Sequence, residues 1–240
     1  MLRNLLWTVT FLAVPSAGFA QSAGTGRGDP PTVRADGIGS VLVAVISDPI
    51  GDFIVARRDA NQVIWVAPDG RRQVIAQSVP NPAALGWDIF ANLLIVGTHG
   101  VYKMDPQGHV TQLITHDDLT DIALAPDGSI WVSDGQSMIH HYDPLGHLIA
   151  DISINNPNHA GVGVIAIGPS GDVFYTQSNN TGSIGTTVYK LSGGTGQAVF
   201  STPFQFVSDI AIDANGDFYL TNPGVVTTDG GVYRYSQFGV

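Results

Sequence analysis

The 240-residue chain contains no cysteine and no glutamate. Lacking Cys, it has no disulfide framework, thiolate metal ligand or cysteine nucleophile, so its fold must rest on an apolar core. All 20 acidic residues are Asp. Glu suits helix interiors, whereas Asp suits turns and caps, and without Glu the H-E-x-x-H metalloprotease motif is impossible. No G-x-S-x-G elbow occurs. Basic residues are also scarce, 10 Lys and Arg against 20 Asp, for a net charge of −10. A nucleic-acid binder needs a basic patch, so nucleic acid is excluded as an expected partner and anionic membrane surfaces are disfavoured.

Only one long apolar run is present, at the N-terminus. Arg3 precedes the apolar stretch Leu5 to Val14, and 16-SAGFA-20 offers a small-residue cleavage site. This reads as a secretory signal cut before Gln21, since a spanning helix needs about 20 apolar residues. The expected organisation is a signal peptide over 1–20, a leader over 21–31 and one domain over 32–240. The mature chain is expected to be secreted or periplasmic, monomeric and not an integral membrane protein. Losing Arg3 would leave 9 basic residues against 20 acidic ones, a net charge of −11.

What is abundant is turn chemistry, with 29 Gly and 14 Pro, and it recurs in a pattern. The stretch 121-DIALAPDGSIWVSD-134 is echoed by 164-VIAIGPSGDVFYTQ-177 and 209-DIAIDANGDFYLTN-222. Aligned on the residue opening the second apolar run, the units fall at Phe53, Leu93, Ile130, Val173 and Phe218, spaced 40, 37, 43 and 45 residues. A third run follows each hairpin, at Val63, Val101, Ile139, Val188 and Val232. A fourth follows the first four units, over Gln73 to Ala76, Thr111 to Ile114, Leu148 to Ile152 and Gln197 to Phe200. Four-stranded units recurring every ~40–45 residues predict an all-β chain, a β-propeller of antiparallel blades. One such sheet cannot bury both faces alone, so the unit must repeat. Five blades are expected, with Thr32 to Asp36 supplying the missing last strand of blade 5. A six-bladed ring with part of its chain missing is the alternative.

These motifs resemble the NHL repeat and the wider group of SMP-30/gluconolactonase-like and streptogramin-lyase-like propellers. Residues 121–134 and 209–222 carry the resemblance best, and 164–177 carries it well. It implies a propeller. For the lactonase branch it also implies a divalent metal in the central channel held by a Glu, an Asn and an Asp, and for the lyase branch a His and a Glu near a metal. With no Glu here, neither set can be reproduced residue for residue.

Within a blade, strand a leaves one face of the ring and strand b returns to it, so the d-to-a and b-to-c loops share the channel mouth, where ligand sites form. The loop 115-THDDLTD-121 supplies His116, a candidate base, with Asp117 and Asp118; the next equivalent loop supplies Asn155 and His159. Together with Arg57 and His99 these are the candidate ligand-binding residues. Asp121 and Asp209 open strand a, and Asp134 and Asn222 end strand b; Asp and Asn oxygens suit a divalent cation (Ca, Mg, Mn or Zn). The alternative use of these four is capping of neighbouring backbone. His140 and His141 read as packing or surface positions, and Trp65, Trp87 and Trp131 as blade packing. Two functions are therefore expected. One is a binding module for an extracellular small molecule, carbohydrate or protein. The other is a divalent-metal-dependent lactonase, ester hydrolase or lyase.

Overall fold

The short apolar runs pair with their sequence neighbours because Pro, Asp and Gly turns leave too little chain for anything else. The computed structural model describes residues 42–48, 51–154, 159–179, 185–222 and 231–236. Blade 1 comprises β1 (Leu42–Ser47), β2 (Phe53–Arg57), β3 (Gln62–Val66) and β4 (Arg72–Ala76). Blade 2 comprises β5 (Ala84–Trp87), β6 (Leu93–Gly97), β7 (Gly100–Met104) and β8 (Val110–Thr115). Blade 3 comprises β9 (Asp121–Leu124), β10 (Ile130–Ser133), β11 (Met138–Tyr142) and β12 (Leu148–Ser153). Blade 4 comprises β13 (His159–Ile167), β14 (Val173–Asn179), β15 (Thr186–Ser192) and β16 (Thr195–Thr202). Blade 5 contributes β17 (Asp209–Ile212), β18 (Phe218–Asn222) and β19 (Gly231–Tyr235) among the described residues. Within each sheet the strands lie in chain order.

The protein is thus a five-bladed propeller, and the second strands begin at the five residues that the repeat spacing marks. Among the described residues there is no α-helix, only a 3-10 turn at Arg58–Ala60. None of them forms a helix long and apolar enough to cross a membrane. Thr32 to Asp36, the expected closing strand, lies outside the described residues, as do the signal and leader segments.

Blades bury one another. Leu93 and Ile95 pack into the cluster shared with blade 1, and their alternates Leu94 and Val96 into the cluster shared with blade 3. All four are fully buried, at about 1.5–3 kcal/mol per large side chain. Similar clusters join blade 3 to blade 4 and blade 4 to blade 5. The inner strands β1, β5, β9, β13 and β17 touch in that order, which brings the first residues of strand a to the channel wall.

Several turns away from the mouth share one construction. Asp105 Oδ1 accepts the N–H groups of Gln107 and His109, both at 2.9 Å, and the Gly108 N–H donates to the Asp105 carbonyl. The His109 N–H above all holds the Asp105 carboxyl below its ordinary value. Asp143 and Asp213 repeat the pattern. So does Asp88, except that Ala91, at φ +61°, stands where the others have glycine. A side chain in this left-handed region costs about 1–2 kcal/mol, part of which glycine's freedom in the unfolded chain offsets. Ala91→Gly is therefore expected to raise stability by about 0.5–1 kcal/mol, read as a higher urea midpoint at unchanged slope.

Candidate functional site

The mouth is built from b-to-c and d-to-a loops that hydrogen-bond across blade boundaries, as the strand directions require. Asn61 Oδ1 accepts the Asn81 N–H at 2.8 Å, and Asn81 Nδ2 donates to Thr98 Oγ1 at 2.9 Å. His99 Nδ1 lies 2.8 Å from Asp117 Oδ1, with both side chains exposed. Further round, Ser133 Oγ donates to the Gly163 carbonyl at 3.0 Å, tying blade 3 to blade 4.

Asp121 and Asp209 come together at the channel wall. Asp121 Oδ2 accepts the Ile165 N–H of β13 at 2.8 Å, so this carboxylate also caps the neighbouring blade. Asp209 Oδ1 accepts its own blade's Ile210 N–H at 2.8 Å. Burial pushes the Asp121 carboxyl up to about 7, and the Asp209 charge adds to that push. Burial also raises Asp209. Yet Asp121 keeps partial water contact and Asp209 is exposed by surface area. Both facts fit carboxylates crowded by protein on the wall of a wet channel, so the upward direction holds for both and its size is damped by water. No basic side chain among the described residues pairs with either.

The remaining candidates divide. Asp134 Oδ1 accepts the N–H groups of Gln136 and Met138 at 2.8 and 3.0 Å, so it shapes its own loop. Asn222 is buried at the end of β18, opposite Gly231. No group of three or more His, Asp or other metal-ligating carboxylates assembles among the described residues; Asp121, Asp209 and Asp134 therefore do not form one cluster. Arg57 is engaged by Asp59, Nε to Oδ1 at 2.9 Å. Asp118 is exposed at φ +64°. His116 Nδ1 bonds the Asp117 carbonyl at 2.7 Å. Asn155 lies outside the described residues, and His159 is described only as backbone in β13, opposite Asn179.

One pair escaped the sequence reading. His140 and Asp151 stand opposite each other on β11 and β12, and His140 Nδ1 lies 2.7 Å from Asp151 Oδ1. Registering the third run against the fourth would have shown it. Trp131 does serve packing: its ring stacks on His141 at 3.8 Å and 12°. The two rings border a cleft of about 430 Å³ at the a-to-b turns of blades 3 and 4, on the face opposite the mouth.

No protein-family model and no curated protein sequence matches the chain. Solved structures do match in shape. A gluconolactonase from Xanthomonas campestris superposes with a TM-score of 0.65 at 15% identity, over 82% of this chain and 73% of that one. Virginiamycin B lyase from Staphylococcus aureus, solved as an inactive variant with quinupristin, gives 0.60 at 14% identity, over 83% and 71%. A protein of unknown function from Bacteroides caccae gives 0.61 at 13% identity, over 82% and 78%. At such identities the likeness establishes the propeller fold and carries no chemistry with it.

Proposed function

We propose that this propeller is a secreted or periplasmic binding module that takes a small extracellular molecule at its channel mouth, through a cationic or hydrogen-bond-donating group. The observation that carries this reading is the Asp121–Asp209 pair: two crowded carboxylates with no basic neighbour among the described residues, facing a channel on a chain of net charge −10. Burial raises the Asp121 carboxyl most and repulsion by Asp209 adds to it; a bound cation would favour the charged form against both. Binding should therefore release a proton and strengthen as pH rises through about 7.

Thermal melts with a short diamine, and separately with Ca²⁺ or Mn²⁺, test this at pH 5.5 and 8. A ligand at 100 times its Kd stabilises by about 2.7 kcal/mol. The shift is expected to be larger at pH 8 and absent in D121N/D209N. The reading fails if no probe shifts the wild type, or if the double variant shifts equally.

One feature favours the second reading, a hydrolase or lyase acting on a lactone or related ester. A carboxyl titrating near 7 suits general acid–base work at neutral pH, and proteins of this shape include a gluconolactonase and a streptogramin lyase. Turnover of a lactone panel that is lost in D121N would replace the binding reading with this one.

A further inference from the structure

Away from the channel, a pair of imidazoles is held in a state that the binding reading does not use. His140 lies on β11 with its side chain almost wholly buried, on the face turned towards blade 2. Its Nδ1 is 2.7 Å from Asp151 Oδ1. An ionised carboxylate only accepts, so Nδ1 is the donor, and in the neutral ring Nε2 is the nitrogen with the lone pair. That Nε2 is buried and has no hydrogen-bond partner among the described residues. Buried polar atoms are seldom left so. His116, in the loop from blade 2 to blade 3, repeats the arrangement. Its Nδ1 is 2.7 Å from the Asp117 carbonyl, which also can only accept, so again it is Nε2 that has the lone pair in the neutral ring. The two rings are 4.2 Å apart between centroids and tilted by 51°.

We infer that His116 and His140 form a two-imidazole site for a divalent transition metal of the Zn²⁺ or Cu²⁺ class, set between blades 2 and 3. Metal-ligating histidines characteristically donate their other ring N–H to a carboxylate or a backbone carbonyl, and these two do one of each. Imidazole nitrogen suits Zn²⁺ and Cu²⁺, whereas Ca²⁺ and Mg²⁺ demand oxygen. Metal–imidazole bonds of about 2.0–2.1 Å place two rings on one ion only a few ångströms apart, as these are. No third His or Asp joins them among the described residues, so solvent or an incoming ligand fills the remaining positions. The ion would fasten the mouth loop carrying His116 to the third strand of blade 3.

The test is Cu²⁺ titration of the full chain followed by electron paramagnetic resonance, with Zn²⁺ as competitor. A parent carrying H99N, H109N and H147N removes the exposed histidines among the described residues. One Cu²⁺ per chain is expected, with two equatorial imidazole nitrogens, displaced by Zn²⁺ and not by Ca²⁺. H116N should leave one imidazole. D151N, which frees the His140 ring, should weaken binding 10–100-fold. D121N/D209N should leave the signal unchanged, which separates this site from the channel pair. Absence of the two-imidazole spectrum in the parent, or its persistence in H116N, overturns the assignment.

Discussion

Gly100→Ala is expected to destabilise the protein by about 3–5 kcal/mol, a large share of the 5–15 kcal/mol typical of a native protein. Gly100 opens β7 directly after the b-to-c turn of blade 2, at φ +132°. A Cβ there would lie 1.9 Å from the Ile114 carbonyl oxygen and 3.0 Å from the His116 nitrogen. Both are backbone atoms, so no rotamer change relieves the clash; β8 must move away from β7. That shift would strain the His116 N–H bond to the His99 carbonyl, 3.2 Å, and disturb the mouth. Gly108→Ala is the matched control. It too has a positive φ, +88°, but nothing lies within 4 Å of the added Cβ, so only the dihedral cost of about 1–2 kcal/mol remains. Urea melts of the two variants should differ by about 1–4 kcal/mol, from the same arithmetic. Equal losses would mean that the β7–β8 contact adjusts at no cost.

Asp121→Asn is expected to stabilise the protein at pH 8.5 and to do little at about pH 4, below which neither state releases the proton. The Asp121 carboxyl is raised to about 7 in the folded state, against about 3.9 unfolded. Between those values the folded chain binds a proton that the unfolded chain does not, so stability falls as pH rises from about 4 to 7 and then levels off. The full difference would approach 4 kcal/mol at about 1.4 kcal/mol per tenfold. Water in the channel screens it, and about 2 kcal/mol is the expected gain of the variant at high pH. For a chain of this size that is a rise of about 4–8 °C in Tm. Asn keeps an oxygen able to accept the Ile165 N–H, so the capping bond survives while the titration is lost. A gain of the same size at both pH values would assign the effect to packing instead of charge.

The strands were legible because their signals are local. Alternating apolar residues and turns such as 126-PDG-128 recur at a near-constant interval, and the hairpins they dictate pair over a few residues. The shared mouth of the b-to-c and d-to-a loops followed from strand direction alone, and the His99–Asp117 contact realises it. The fate of individual carboxylates was not legible. Asp134 and Asp121 end and open the two strands of one hairpin, yet Asp134 is drawn into its own loop by two N–H groups while Asp121 reaches across to blade 4. That choice is a competition between nearby donors, which sequence spacing does not resolve. His140 was missed for a related reason: adjacent histidines in an alternating strand face opposite sides, and only the partner strand distinguishes them.

By itself, then, the sequence determined a five-unit β-propeller without disulfides, acidic overall and turn-rich, because repeat length, strand alternation and turn chemistry are properties of short segments. The tertiary structure decided which residues meet. Asp121 and Asp209 become neighbours because their inner strands line one channel, and crowding there raises both carboxyls. His116 and His140 become neighbours because blade 2 packs on blade 3. Both juxtapositions join distant parts of the chain through the angle at which blades stack, a quantity set by the whole core and by no single segment of it.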